Sequence, residues 1–455
     1  MHLGLHDFAP LVMYIGAIVA FVLSIIWKPE IGLYYLVPLL PLQTARYWLH
    51  SYPLGEKLVD ILLLGVLVGL FLHRAERQIF DSSPLNRILL VIFVLTYLSL
   101  WQGAFYLGGP LPISFDDHRF SDWKNYVEML FLFFVAAASI RTRRQMAIVI
   151  GLMCLSVLMV NRNYLSTVGS RDFSNFSYSL RDAGPLGYAG ENGMGAFQAE
   201  FAIFLIGLAV FAKKPVLKLG LLAIALYSVY CLELTFSRGA YLGFLMGLLV
   251  LGLIKERKIL ILLVIILVTW QSLVPNAVTQ RVMMTYQEGE VDSSAGERIT
   301  IWQDALQVFN EDPIFGTGFN TYAYMGRVGQ YADTHNYYVK VLLETGFVGF
   351  LIFLWLLRVA CKMSWRLFRV AKDPVMSALS CGFFAMMICA IVVNFFGDRW
   401  TYLQVNGFLW VLLGLVARGL HLVSEENESH EHEGPAIESE EFQVDPTVVH
   451  EGSRA

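Results

Sequence analysis

The sequence predicts an all-α integral membrane protein of twelve or thirteen spans, interrupted by one large polar loop. Apolar residues make up 56% of the chain and charged residues 15%, against roughly 25% charged in a typical soluble domain. Apolar runs recur along the chain, several at the ~17–25 residues a spanning helix needs. They are apolar all round rather than alternating with period two, so they read as helices and not as barrel strands.

Taken in order, the first run, 11–26, follows MHLGLHDF, which has no basic n-region. It meets Lys28-Pro29-Glu30 instead of a small-residue cleavage site, so a retained helix is expected. The next, 31–48, contains Pro38 and Pro41 and is expected to be broken or re-entrant. Further spans fall at 58–72, 85–107, 125–140, 146–160, 193–212, 217–235, 239–254, 259–274, 346–363, 376–394 and 403–418. Glu128, Glu200 and Glu233 lie within these runs, near segment ends, and read as interfacial. The five cysteines show no CxxC spacing and none lies in the long polar loop, so neither a disulfide nor a cysteine metal site is expected.

Every second connection is basic. Arg74, Arg77 and Arg87 come first, then Arg141, Arg143 and Arg144, then Lys213, Lys214 and Lys218. Lys255, Arg257 and Lys258 follow, and finally Arg358, Lys362, Arg366, Arg369 and Lys372. Lysine and arginine mark cytoplasmic connections, so the opposite ones, including 161–192 and 275–345, are expected outside. The N-terminus is outside if 31–48 crosses and inside if it does not. The chain divides into a polytopic body, 1–418, with outer loops at 161–192 and 275–345, and a tail, 419–455. The tail holds ten acidic residues and one basic one, a net −9 against −4 for the chain. It is expected to be cytoplasmic and disordered, with His430-Glu431-His432 a solvated stretch of it.

The outer connections carry Arg119, Arg162, Arg171, Arg181, Arg238, Arg281, Arg298, Arg327 and Arg399, with few lysines. Arginine's planar fork grips phosphate oxygens bidentately, although an arginine at a membrane surface also serves as a plain headgroup anchor. Arg238 sits in the short turn Thr235-Phe236-Ser237-Arg238-Gly239. Arg298 follows Ser294-Ala295-Gly296-Glu297, a capping-box pattern, and Ile299, Trp302, Leu306 and Phe309 continue as an apolar stripe. That places Arg298 in a first helical turn, where backbone N–H groups favour anions. His335, in Asp333-Thr334-His335-Asn336, opens a helix expected to break at Gly346. A neutral imidazole there could take a proton from a hydroxyl, oriented by Asp333 or Glu344. The glycine-rich stretch 181–195 lacks the Lys-Ser/Thr ending of a P-loop. No residue spacing suggests a metal site, and no cofactor is expected.

These motifs in their order resemble the O-antigen ligase and Wzy-type polymerase superfamily of bacterial envelope proteins. The resemblance rests on Glu191-Asn192-Gly193, Thr235-Phe236-Ser237-Arg238-Gly239, Gly296-Glu297-Arg298 with Trp302, and Pro313-Ile314-Phe315-Gly316-Thr317-Gly318. His335-Asn336 and Glu344-Thr345-Gly346-Phe347-Val348-Gly349 complete it, over roughly 180–400. It implies a fold similar to the GT-C glycosyltransferases and metal-independent transfer from an undecaprenyl-diphosphate-linked donor to an acceptor hydroxyl. By the same resemblance Arg238 and Arg298 bind the diphosphate and His335 is the base. Arg181, Asn192, Asn336 and Arg399 are further candidates for holding donor or glycan. It also implies a multi-pass protein of the bacterial inner membrane, active on the outer face, with lipids and other polysaccharide-assembly proteins as partners and no nucleic acid. The acceptor stays open between lipid A core in lipopolysaccharide, a growing capsule or exopolysaccharide chain, and a protein. A transporter or flippase is the competing reading. It would place charge deep within the spans, whereas here charge gathers in the outer connections.

Overall fold

A computed structural model describes residues 5–73, 82–284, 286–287, 290–291, 293–328 and 333–432. The helices are α1 (Leu5–Ile26), α2 (Glu30–Leu36), α3 (Gln43–Tyr47), α4 (Leu58–Leu72), α5 (Pro84–Leu107), α6 (His118–Ser139), α7 (Arg143–Val168), α8 (Gly190–Phe211) and α9 (Pro215–Glu233). They continue as α10 (Arg238–Ile254), α11 (Lys258–Leu273), α12 (Asn276–Met283), α13 (Ser293–Phe309), α14 (Tyr322–Met325), α15 (Tyr337–Val370), α16 (Pro374–Val393) and α17 (Leu403–His432). A two-residue hairpin pairs Tyr286–Gln287 with Glu290–Val291.

The chain is an all-α membrane protein. Among the described residues, eight helices are long and apolar enough to cross a membrane. The number is nine if α11 and α12, bent by 110° at Val274-Pro275, count as one span. This is fewer than the twelve or thirteen spans expected. Every predicted segment except 31–48 does fall on one continuous helix, but α4, α10 and α11 are short, and α6 does not meet the same test of apolarity.

Segment 31–48 resolves into α2, a 3-10 turn over Val37–Leu39, and α3. Its contacts climb the molecule. Gln145, at the start of α7, donates to Glu30 at 3.0 Å, Ser156 halfway along α7 donates to the Pro38 carbonyl at 2.7 Å, and Gln43 accepts from the Tyr188 N–H beyond α7 at 2.9 Å. The segment therefore passes from one end of the bundle to the other as a broken path. The described chain begins at the end that carries the 275–345 loop.

Connections predicted to alternate in sidedness do separate to opposite ends. At one end Asn320 donates to Asp122 at 2.8 Å, Asn276 to the Ser174 carbonyl at 2.7 Å, and Lys340 pairs with Asp398 at 2.9 Å. At the other, basic end, Arg143 pairs with Glu426 at 2.7 Å and reaches Asp373 at 3.9 Å, while His421 meets the Ser82 carbonyl at 3.0 Å. The basic residues Arg74 and Arg77 lie outside the described residues.

The core is built on α8, α16 and α17, which are buried along most of their length, while α1 and α9 are peripheral. A Cβ on Gly207 of α8 would collide with Gly382 of α16, the small-residue contact that lets membrane helices approach closely. Glu200 departs from its interfacial reading. It is fully buried in α8, and neither carboxylate oxygen has a hydrogen-bond partner. Glu233, the last residue of α9, does sit at a helix end. The tail departs as well: α17 continues to His432, so the helix carries on into the acidic stretch, and 433–455 lie outside the described residues.

Candidate active site

The site is held by backbone docking between two glycine motifs. In Pro313-Ile314-Phe315-Gly316-Thr317-Gly318, the N–H groups of Thr317 and Gly318 donate to the carbonyls of Leu343 and Glu344 at 3.0 and 2.9 Å. The N–H groups of Phe347 and Val348 return to Pro313 and Ile314 at 2.9 and 3.2 Å. Gly346 breaks α15 as expected, with φ 65°, and a Cβ there would overlap the Ile314 backbone. Phe319 N–H donates to the Ser99 carbonyl of α5 at 3.0 Å. The polar loop is thus stapled to α5 and α15, which gives residues 320–328 and 333–336 a fixed base.

Helix α13 packs on that base through Ile301, Ala305, Val308 and Phe309, against Tyr322 and Leu343. The predicted stripe is corrected here: Ile299 and Leu306 are exposed, and Trp302 and Phe309 alone of the four pack inward. The true stripe is rotated because Ile301, Ala305 and Val308 follow the same helical spacing and meet the loop. The helix begins at Ser293, so Ser294 lies inside it rather than capping it, and Arg298 falls in the second turn rather than the first as expected. Trp302 donates its indole N–H to the Thr334 carbonyl at 2.9 Å, tying α13 to the segment that carries His335.

Five arginines from five segments converge on this point. Arg298 lies within electrostatic reach of Arg399, Arg238, Arg181 and Arg281, and burial together with those four charges pushes its pKa down to about 10. Arg238 opens α10 after a left-handed Phe236, φ 54°. Gly239 beside it fits closely against Phe396, bringing this turn next to the 394–402 connection and the buried Arg399. Arg181 donates to Asn192 at 2.7 Å and pairs with Glu191 at 3.1 Å, and burial is the main cause lowering its pKa. Arg281, on α12, is 4% exposed and lies over the rings of Phe176 and Tyr178 at 5.0 and 5.2 Å. Sequence reasoning named Arg281 only as one outer arginine among nine, because its aromatic neighbours are a hundred residues away. The other outer arginines are elsewhere: Arg119, Arg171 and Arg327 each pair with an aspartate, Asp117, Asp182 and Asp304, at 3.0, 2.6 and 3.0 Å. Arg162 lies exposed on α7.

His335 adjoins the cluster. Its backbone is left-handed, φ 52°, and its N–H donates to Asp333 at 3.2 Å. Nδ1 lies 3.5 Å from the other oxygen of that carboxylate. Burial lowers the imidazole pKa below its ordinary value; Asp333 raises it, and Arg298 and Arg399 lower it further. Of the two orienting carboxylates expected, Asp333 is in place. Glu344 instead accepts from the Asn320 N–H at 2.9 Å. Asn336 caps α15, its side-chain oxygen accepting from Tyr338 and Val339 N–H at 3.0 and 3.2 Å. Among the described residues, no cluster of three or more His, Cys, Asp or Glu could hold a metal ion.

The fold and this site define a polytopic helical membrane protein with a cluster of arginines beside a histidine. Residues 223–354, from α9 into α15, match the family model described as O-antigen ligase. The match covers Arg238, Arg281, Arg298 and His335, so the part of the chain that carries them is similar to that family. A search of the curated proteins finds no match to this chain.

Proposed function

We propose that this protein is a glycosyltransferase that moves or polymerises oligosaccharide from an undecaprenyl-diphosphate donor onto an acceptor hydroxyl. The observation that carries this is the convergence of Arg181, Arg238, Arg281, Arg298 and Arg399 beside His335. Arg181 is paired with Glu191, yet the arginine charges around Arg298 still lower its pKa, so an anion bound beside Arg298 relieves repulsion there. A diphosphate brings two or more negative charges and oxygens that suit guanidinium forks. In the reaction the acceptor oxygen attacks the anomeric carbon. The bond from that carbon to the diphosphate oxygen breaks, and the lipid diphosphate leaves with the electron pair. The acceptor proton passes to Nε2 of neutral His335, with Asp333 at Nδ1 stabilising the imidazolium that forms. The arginines stabilise charge that develops on the leaving group, a contribution strongest where it is pre-organised. No metal is invoked.

The loop end, by the basic-connection rule, faces away from the cytoplasm of a bacterial inner membrane. Lipid A core, a growing polymer and a protein all offer the hydroxyl that this chemistry needs. Purified protein in liposomes with a synthetic lipid-linked donor tests the proposal. Formation of a glycosidic bond is expected, and transport of donor without bond formation would overturn it.

A further inference from the structure

A cavity lies beside the arginine cluster, on the Asp333 side of His335. It has a volume of about 630 Å³ and opens among α3, the start of α6, the loop around Asn320, the first turns of α15 and the 398–404 connection. Asp333 is part of its wall, so the residue that sits at Nδ1 of His335 also faces this space. None of the five clustered arginines lines it.

The charge of this cavity's lining is opposite to that of the arginine cluster. Carboxylates outnumber cations in the cavity lining, seven to four. Two of its four cations, Lys124 and Lys340, are paired with carboxylates. Lys124 pairs with Asp60 at 2.7 Å and Glu128 at 3.6 Å, and Lys340 with Asp398 at 2.9 Å. Two acids remain incompletely satisfied. Glu344 is 4% exposed and Glu128 9%, and Oε1 of each lacks a hydrogen-bond partner. A buried acceptor left without a donor is unfavourable, about 1–3 kcal/mol each, and a ligand rich in O–H or N–H groups would relieve it. The walls also carry tyrosine rings, Tyr47, Tyr126, Tyr188, Tyr337 and Tyr402, whose faces suit the apolar side of a pyranose.

We infer that this cavity is a glycan site, accepting uncharged or amino sugars and rejecting uronic acids and phosphorylated sugars. It rests on the proposed transferase activity only for its role, which is to bring the acceptor sugar toward His335 from the side opposite the diphosphate. The division has a chemical logic. The donor's diphosphate is drawn to the arginines and repelled by the acidic cavity, so the two substrates cannot exchange places.

The test uses full-length protein in nanodiscs, with the native cysteines replaced and Gln404→Cys introduced in the cavity wall. Labelling by a charge-neutral maleimide is followed with three probes: chitotriose, its deacetylated cationic form, and trigalacturonate. The first two should slow labelling, and trigalacturonate should protect about tenfold more weakly or not at all, the factor given by one unfavourable charge contact. Combining Glu56→Gln with Glu344→Gln should narrow that preference. Equal protection by trigalacturonate, or none by any probe, would overturn the inference. In parallel, inorganic pyrophosphate should bind wild-type protein but not Arg298→Ala, and it should leave labelling of Gln404→Cys unchanged. Loss of the pyrophosphate result alone would count against the donor site and not against the cavity. Protection of the cavity by pyrophosphate would overturn the charge division.

Discussion

The Asp333 carboxylate bridges the backbone and the ring of His335. One oxygen accepts the His335 N–H at 3.2 Å and the other lies 3.5 Å from Nδ1. One side chain therefore lies against both the left-handed turn and the Nδ1 side of the imidazole.

This relationship predicts a pH profile. A base must be neutral, and burial together with Arg298 and Arg399 holds the His335 pKa below its ordinary value. Activity should therefore rise along an acid limb centred below that value and stay flat through neutral pH. Asp333 raises the pKa, so Asp333→Asn should move the limb to still lower pH while reducing turnover. His335→Ala should retain donor binding and lose about 10²–10⁴-fold in turnover. Rate against pH for the three proteins checks this, and an unshifted limb in Asp333→Asn would separate the two residues.

The arginine cluster predicts opposite effects on stability and binding. Removing one charge relieves repulsion among the rest, so Arg298→Gln should melt at the same or a higher temperature than wild type without ligand. Wild type should gain about 2.7 kcal/mol with pyrophosphate at a hundredfold excess over its Kd, and the variant should lose most of that gain. Arg281→Lys should also weaken binding, because it loses the fork while keeping the charge. Thermal shift in detergent with and without pyrophosphate measures all three.

Two glycines with similar backbone angles should respond differently. Gly108 has φ 69° and open space around it, so Gly108→Ala should cost only the left-handed strain, about 1–2 kcal/mol. Gly346 has φ 65° and faces the Ile314 backbone. Gly346→Ala must break the stapling of 313–318 to α15 and should cost about 3 kcal/mol or more, with transfer activity lost in the surviving protein. Unfolding midpoints of purified variants provide the comparison.

Truncation after Ser424 should leave activity intact. It removes Glu425 and Glu426, whose pairs with Arg418 and Arg143 are exposed on the glutamate side and are worth about 0–1 kcal/mol each. A fall in turnover at normal expression would reveal a role for the tail at the basic end of the bundle.

Sequence alone was enough for the membrane class, the helical segments, the alternation of basic connections and the break at Gly346. These are local properties: a residue's transfer free energy, its charge and its allowed backbone angles travel with it wherever the chain goes. Arg238, Arg298 and His335 were legible for a related reason, since each sits in a short motif that sets its own turn. The segment 31–48 shows the limit, because its prolines announce a break but not whether the broken path crosses. Only the tertiary structure decided that it does, through rungs of contact to Gln145, Ser156 and Tyr188. Tertiary packing also sorted the outer arginines. Arg281 joined the cluster by lying against Phe176 and Tyr178, while Arg119, Arg171 and Arg327 were taken up by nearby aspartates. It gave Asp333 rather than Glu344 to His335, and it enclosed an acidic cavity from segments almost the whole chain apart. An ionic group's partner depends on which distant segments pack beside it, and that is settled by the burial of the whole bundle rather than by any run of residues.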